Sequence, residues 1–390
     1  MNGTMEKDTL QLALSGHIDS SNAPAVEAEV MEAREKQPHS GLVLDLKDLT
    51  YISSAGLRVV LRLRKLEPQL RLVNVSADVY EILDMTGFTE MMPVEKAYRT
   101  ISIEGCEAIG RGANGTVYRI DKDTVVKVYQ NPDCLPDVQR ERELARKAFV
   151  LGIPTAIPYD VVRVGESYGS VFELLNSRSF SKLIAADPAG MDTYVDLYVD
   201  LMKKMHSTHV KPGDMPEMKG VALNWVTFLR DYLPAGQAGK LVALVEGVPE
   251  RDTMLHGDYH TNNIVMQNNE VLIIDMDTLC VGHPIFELAS MYLGFVAFGE
   301  LDPSVVLNFL KLPYETAVLF WKKALAKYLG TDDPEAVRAV EEKAMVIGYA
   351  RLMRRTIRRG GFDTEAGRAC IELCRGHLAQ LLDRVDTLTF

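Results

Sequence analysis

Residues 255–277, LHGDYHTNNIVMQNNEVLIIDMD, constrain this chain more than any other stretch, because they set three oxygen-bearing side chains around one hairpin. Asp258 is followed five residues later by Asn263, and an apolar strand pattern over 271–274 ends on Asp275. Moving a phosphoryl group onto a hydroxyl needs a carboxylate that orients the hydroxyl and accepts its proton. It also needs oxygen ligands for a Mg2+ ion bridging the phosphates. Asp258 suits the first task, Asn263 and Asp275 the second. Each residue alone is an ordinary turn residue, and it is their combination in one span that points to this chemistry.

Two patterns upstream bear on the same reaction. Residues 110–118, GRGANGTVY, fit G-x-G-x-x-G-x-V through Gly110, Gly112 and Gly115. Glycines also serve any tight hairpin, so context decides. Here the loop lies between two strand patterns, whereas a dinucleotide fold sets it between a strand and a helix. Glycines in a strand–loop–strand lid let backbone amides approach phosphates closely. In VVKVY, residues 125–129, Lys127 stands in the middle of an apolar strand. A buried lysine needs an anionic partner, either nucleotide phosphates or a carboxylate; a lysine snorkelling to the surface is the alternative. The helix that follows offers Glu141 and Glu143. Positions three, four and seven after Glu141 are Leu144, Ala145 and Ala148, while Lys147 follows Glu143 by one turn. Glu141 therefore faces inward and is the expected partner.

At 390 residues the chain suggests two or three packed units, and its 47% hydrophobic and 25% charged residues exclude wholesale disorder. A net charge of -11 argues against a general nucleic-acid binder but leaves room for a local basic pocket. The first ten residues have no apolar run of the secretory kind, and the longest apolar run, 288–299, is too short for the roughly 20 residues that span a bilayer. A soluble cytoplasmic protein is expected, with neither membrane nor nucleic acid as partner. The five cysteines form no Cys-x-x-Cys pair and read as reduced thiols. Cys370 and Cys374, one helical turn apart, suit core packing, with ligation or redox sensing as the alternative.

Residues 1–98 alternate strand and helix patterns. A strand is expected over 10–15 with a turn at Gly16, an amphipathic helix over 23–36, a buried strand over 41–46, a helix over 57–66, a strand over 70–75 and a helix over 79–85. This is a layered α/β unit. From 101 onward the texture is α+β in two lobes: strands over 103–109, 116–120 and 124–129, a helix over 136–151 and two strands within 161–175. The second lobe, 176–390, is mostly helical, with late helices over 303–310, 314–329, 334–359 and 365–382.

On these motifs, residues 101–390 resemble the aminoglycoside phosphotransferase and choline kinase family, relatives of protein kinases in which His-Gly-Asp-x-x-x-x-Asn forms the catalytic loop. The resemblance implies a bilobal protein kinase-like domain using ATP and Mg2+. By it, Gly110, Gly112 and Gly115 cover the ATP phosphates, Lys127 and Glu141 form an ion pair, Asp258 is the catalytic base, and Asn263 and Asp275 bind Mg2+. FELL at 172–175 becomes the hinge, with Glu173 and Leu175 meeting adenine. His256 orients the loop, and Asp277 is a second acid near the metal or the substrate. Glu287 stands where relatives usually carry Asp, a structural exchange.

In LDLKDLTYISSAGLRVVL, residues 44–61, a hydroxyl-bearing turn between a buried strand and a helix puts Ser54 near a helix N-terminus. A phosphate there is electrostatically welcome, and an N-cap serine pair is the plainer reading. The stretch resembles STAS domains, the anti-sigma-factor antagonists of bacterial partner switching. Aligned on Gly56 and Leu57, the family's regulatory phosphoserine falls on Ser54, with Ser53 where the family usually has Asp, and Asp19 matches its N-terminal Asp. The implied partner is an anti-sigma-factor-type protein.

One feature belongs to neither motif set. Arg351, Arg354, Arg355, Arg358 and Arg359 recur at helical spacing and are expected to form one basic stripe, either a solvated helix face or an anion site. If the stripe lined the substrate pocket, a polycation would be a poor substrate. The reading that unites these features is an ATP- and Mg2+-dependent phosphotransferase acting on a hydroxyl of a small molecule or a protein serine, joined to a regulatory STAS domain. The alternative is a partner-switching protein whose kinase-like half only binds nucleotide.

Overall fold

Along the strand Thr9–Ile18 the buried residues are Leu10, Leu12, Leu14 and Ile18, and along Gly41–Ile52 they include Leu42, Leu44, Leu46, Leu49 and Ile52. Such alternation gives each strand a face toward a core. The computed structural model describes residues 3–6, 8–112, 115–131 and 133–390. They divide into two units, Met1–Ser102 and Ile103–Phe390.

In the first unit the strands lie in the order Gly3–Glu6, Thr9–Ile18, Gly41–Ile52, Arg71–Val75, Val94–Lys96. The first pair is antiparallel and the rest are parallel. Parallel neighbours need crossovers, and the helices Ala23–Lys36, Ser54–Leu66 and Ala77–Met85 provide them. Two strands run longer than their sequence pattern suggests. Gly16 does not end the first; with φ +74 it sits beside register slips at Ala13/Ser15 and Gly16/His17, a bulge through which the strand continues to Ile18. The Gly41 strand likewise runs on to Ile52. The next helix starts at Ser54, because Ser53 accepts the Ala55 N–H at 3.2 Å and caps it.

The second unit carries an antiparallel run in the order Pro158–Val164, Ser167–Glu173, Thr124–Tyr129, Gly115–Arg119, Glu107–Arg111. The strand expected from residue 103 begins only at Glu107. Residues 103–106 form a turn in which Gly105 has φ +76 and the Cys106 N–H donates to the Ile103 carbonyl at 3.0 Å. The helix Leu135–Val150 packs on this sheet through Val138, Leu144, Ala145 and Ala148. A mostly helical portion follows, with Trp321, Tyr198, Tyr349, Phe295 and Phe320 fully buried in its core. The apolar run 288–299 covers the end of the helix Ile285–Phe295, every residue of which is buried, and a 3-10 turn over Ala297–Gly299. Among the described residues no helix is long and apolar enough to cross a membrane. The hairpin Ile264–Gln267 to Glu270–Ile273 turns on Asn268 and Asn269, with φ +50 and +64. Two successive positive φ values match the tight turn that hairpins prefer, and asparagine tolerates them.

The first unit yields a prediction. A Cβ on Gly56 would lie 2.6 Å from Ile52 Cγ1 and 2.9 Å from Ile18 Cγ2, both on stiff, buried side chains. Gly56→Ala is expected to destabilise this unit by about 1–3 kcal/mol. Hydrogen exchange on the full chain should then speed up across residues 10–96 and stay unchanged across 107–384. Unchanged exchange over 10–96 would refute the close packing.

Candidate active site

Lys127 sits in the middle strand of three, opposite Val117 on one side and Ser170 on the other. Its side chain is 14% exposed, and that of Glu141, on the helix Leu135–Val150, is 3% exposed. Lys127 Nζ donates to Glu141 Oε1 at 2.9 Å and Oε2 at 3.2 Å, and to Asp275 Oδ1 at 2.7 Å. Glu143 points to the surface, where it pairs with Arg146 at 3.1 Å. Burial works against the lysine charge, yet Glu141 and Asp275 hold it above the usual lysine range. Burial also pushes the Glu141 carboxyl up, to about 7, against the pull of Lys127. Removing one member of such a cluster strands a buried charge, which is more costly than never burying it.

The loop carrying Asp258 is held by side chains from elsewhere. Glu287 accepts the backbone N–H of His256 at 2.6 Å and of Gly257 at 3.0 Å. Thr278 Oγ1 donates to the His256 carbonyl at 2.8 Å, and Ser290 Oγ to the Gly257 carbonyl at 2.9 Å. All four backbone groups of this dipeptide are thereby paired, as a buried loop requires. Gly257 has φ +81, and a Cβ there would meet the Thr278 carbonyl oxygen at 2.5 Å, so only glycine fits. His256 Nε2 donates to the Ile274 carbonyl at 3.2 Å, which ties the loop to the residue preceding Asp275.

Asp258 itself is half-buried, with Oδ2 3.4 Å from His260 Nε2. Burial raises its pKa, but the hydrogen bond and charge of His260, helped by His256 and Arg351, outweigh it and keep the carboxyl below the usual range. Asn263 Nδ2 donates to the Asp258 carbonyl at 3.1 Å, and the Ile274 N–H donates to the Asn263 carbonyl at 2.9 Å. The amide Oδ1 of Asn263 and the Oδ2 of Asp275 are thus the oxygens left over for a cation. Among the described residues no group of three or more His, Cys, Asp or Glu forms a metal cage. Mg2+ needs none, since it keeps several waters and takes one or two protein oxygens beside substrate phosphates. Asp277 sits near this charge; burial and then Asp275 raise its carboxyl above the usual range.

A cavity of about 490 Å³ gathers Gly110, Gly112, Gly115, Lys127 and Glu141 on one side, Glu173 and Leu175 along its back, and Asn263 and Asp275 opposite. The glycines differ in why they are glycines. A Cβ on Gly115 would fall 2.3 Å from the Val128 carbonyl oxygen, so the strand pairing demands it. A Cβ on Gly110 or Gly112 would make only ordinary contacts, at 3.7 and 3.9 Å, so packing does not demand glycine at either position. Ala113 and Asn114, at the loop tip, lie outside the described residues. At the back, the Glu173 N–H donates to the Ile157 carbonyl at 3.0 Å and the Leu174 N–H to Asp123 at 2.7 Å. The Leu175 N–H has no backbone partner among the described residues and remains available to a ligand. Asp258 is not part of this lining. It lies on the adjoining loop, reached through Asn263.

Ser54 belongs to the other unit. It is exposed in the first turn of the helix Ser54–Leu66, while Ser53 does the capping. Ile18 pairs with Ile52, and the Ser53 N–H donates to the Ile18 carbonyl at 2.8 Å, so Asp19 and Ser54 follow the C-terminal ends of neighbouring parallel strands.

The arginines do not form the single stripe expected. Arg351 turns inward, over the Trp225 ring at 5.0 Å, and its Nη1 donates to Ser290 Oγ at 2.8 Å. Arg354 lies over Phe228 and Arg355 over Phe298, at 5.8 and 4.9 Å, and Arg358 and Arg359 are exposed at the helix end. The helix Pro334–Arg358 has core on several sides, so its basic residues separate by neighbour. Sequence reasoning treated Glu287 as a mere exchange and did not see Ser290 or the inward turn of Arg351. Their contacts with the loop are long-range and leave no local pattern.

The phosphotransferase enzyme family, APH, matches residues 105–313, and the STAS domain matches residues 4–102. The chain belongs to the phosphotransferase enzyme family. It carries a STAS domain at its N-terminus, so the fold is an α/β STAS domain with an α+β kinase-like domain. As a family member it is a phosphotransferase. Over the STAS domain of this phosphotransferase, BtrV of Bordetella bronchiseptica, described as an anti-sigma factor antagonist, is 41% identical across 97 residues, 23% of this chain and 83% of that protein. An anti-sigma F factor antagonist of Paenibacillus polymyxa is 32% identical over 92 residues, 23% of this chain and 79% of that protein. Similar solved structures include the aminoglycoside phosphotransferase APH(4)-Ia, at 12% identity and TM-score 0.49, covering 72% of this chain and 96% of that one. A choline/ethanolamine kinase family protein from Mesorhizobium loti has 15% identity and TM-score 0.46, covering 71% and 88%.

Two predictions concern this loop. Glu287→Gln leaves one acceptor for two amide donors, and misplacing a reacting group by about an ångström costs on the order of 100-fold. Asp258-dependent ADP release should fall by about 10- to 100-fold while calorimetry shows AMP-PNP affinity within about twofold of the parent; equal losses in both would mean general unfolding. The second concerns pH. A carboxyl whose folded pKa is depressed adds stability that is complete above its unfolded value, about 4, and is lost as pH falls through the lower folded value. The gap in unfolding midpoint between the parent and Asp258→Asn should hold from about pH 5 to 7 and narrow below about pH 4. A constant gap down to about pH 3 would contradict the depressed pKa.

Proposed function

We propose that the chain transfers the γ-phosphate of ATP to a hydroxyl acceptor, with Asp258 as base and the nucleotide in the cavity beneath the glycine hairpin. The observation that carries this reading is the single ammonium of Lys127 shared between Glu141 and Asp275 within one cavity. It prepares a cation for phosphates at the place where a metal-binding carboxylate ends its strand. In the reaction, the acceptor oxygen attacks the γ-phosphorus, the bond to the β–γ bridging oxygen breaks, ADP leaves and the hydroxyl proton passes to Asp258. The transition state has little covalent help to receive, so catalysis is positioning and electrostatics. Glu141 keeps Lys127 aimed, Gly110 and Gly112 admit the phosphates, and Glu173 and Leu175 offer backbone groups to adenine. Mg2+, held by Asn263 and Asp275, would neutralise phosphate charge. ATP supply assigns the reaction to the cytoplasm.

We assign residues 1–98 to the regulatory half and 101–390 to the kinase half, with lobes of about 101–175 and 176–390. The regulatory half docks an anti-sigma-factor-type protein, and Ser54 is its phosphorylation position, supported by its exposure at a helix N-terminus.

The test follows ADP release by the full chain across hydroxyl acceptors, with phosphosite mapping by mass spectrometry. Asp258→Ala should lower turnover by about 10²–10⁴-fold, and chelating Mg2+ should abolish it. Phosphate retained on the chain in Ser54→Ala would count against Ser54. Tight nucleotide binding with ADP release no faster in the parent than in Asp258→Ala would instead favour a nucleotide-sensing pseudokinase.

A further inference from the structure

A second cavity, of about 670 Å³, opens beside the catalytic loop between the segment 297–309, the end of the helix Pro334–Arg358 and the start of Glu365–Arg384. Its apolar walls include Phe298, Leu301, Val305 and Phe309. Phe309 joins it to the chemistry. The ring packs edge-on against His260, centroids 4.8 Å apart, and the backbone carbonyl accepts from Asn262 Nδ2 at 2.7 Å. His260 Nε2 is in turn 3.4 Å from Asp258 Oδ2. One layer of side chains thus separates this cavity from the proposed base.

Its charged lining is Arg355, Arg359 and Asp302. Asp302 Oδ1 accepts the Ser304 N–H at 2.9 Å and caps the helix Pro303–Leu310, so one carboxylate, bonded to a helix N-terminus, stands against two guanidiniums. The guanidiniums have no such partner: among the described residues, none of Arg351, Arg354, Arg355, Arg358 and Arg359 forms an ion pair with a carboxylate. Arg355 stacks over the Phe298 ring at 4.9 Å. Stacking uses the face of a guanidinium and leaves its in-plane N–H donors free for a bidentate oxyanion. Burial and then the charges of Arg359 and Arg351 push Arg355 below its usual pKa range, against the opposing pull of Asp258.

We propose that this cavity is the acceptor site and that the acceptor is an amphiphilic anion: an alcohol with an apolar body and a carboxylate or phosphate bound by Arg355 and Arg359. Calling the ligand an acceptor rests on the phosphotransferase reading; the anion site does not. The apolar body lies against Phe298, Leu301 and Val305, the hydroxyl end is turned to Phe309, which packs on the His260 that partners Asp258, and polycationic amino sugars are repelled by the same two guanidiniums.

Calorimetry on the full chain saturated with Mg2+ and AMP-PNP tests this with hexyl phosphate, hexanoate and hexylammonium as probes. Binding of either hexyl anion with no measurable binding of hexylammonium is expected, weakening as salt rises. Arg355→Gln combined with Arg359→Gln should weaken the anions by about tenfold or more while AMP-PNP affinity stays within about twofold, which reports the fold. Arg359→Glu alone, at an exposed position, should weaken the anions and admit hexylammonium. Hexylammonium binding as tightly as the anions, or anion binding indifferent to these substitutions, would overturn the proposal. ADP release that does not depend on Asp258, alongside intact hexyl phosphate binding, would overturn the phosphotransferase reading and leave the anion site standing.

Discussion

The kinase half depends on one ammonium group, that of Lys127, shared between Glu141 and Asp275. Three charges meet from a strand, a helix and the end of a hairpin; Glu141 is buried, Lys127 nearly so and Asp275 44% exposed, and the buried pair is not tolerable without its partners. The cluster therefore fixes the sheet, the helix Leu135–Val150 and the 264–275 hairpin relative to one another. Any phosphate entering the cavity meets a cation that has already been desolvated and aimed. The same arrangement makes the site sensitive to small shifts, since coupling between charges strengthens as water is removed.

A second buried carboxylate does for the loop carrying Asp258 what the lysine does for the cavity. Glu287 satisfies two backbone amides at His256 and Gly257, Ser290 and Thr278 satisfy their carbonyls, and Arg351 holds Ser290. Asp258 is carried on a loop whose own peptide groups are pinned from outside. That leaves its carboxylate half-exposed but positioned. Arg351 also contributes charge to Asp258, so the network that positions the carboxylate helps keep it ionised.

Much of this was legible in residue order. The choice of Glu141 over Glu143 followed from apolar residues three, four and seven positions on, a local rule that burial obeys. The hairpin carrying Asn263 and Asp275 announced itself through an apolar strand and an Asn-rich turn. The boundaries were less legible: Gly16 looked like a stop and proved to be a bulge, and residue 103 looked like strand and proved to be turn, because pairing with a neighbour decides where a strand ends. Ser290 and Arg351 were invisible as a pair, lying 61 residues apart in the chain.

By itself the sequence determined the inventory of the candidate site: the glycine hairpin, the buried lysine, the His-Gly-Asp loop and the strand-ending Asp275. Each is encoded within a few residues, by periodicity and by conformations that only certain side chains accept. Only the tertiary structure decided what the arginines do. The five arginines between 351 and 359 read alike in sequence, yet Arg351 holds Ser290 beneath the loop carrying Asp258, Arg355 lines a cavity and Arg358 meets water. A helix with core on several sides gives its side chains different neighbours every hundred degrees, and those neighbours come from distant parts of the chain.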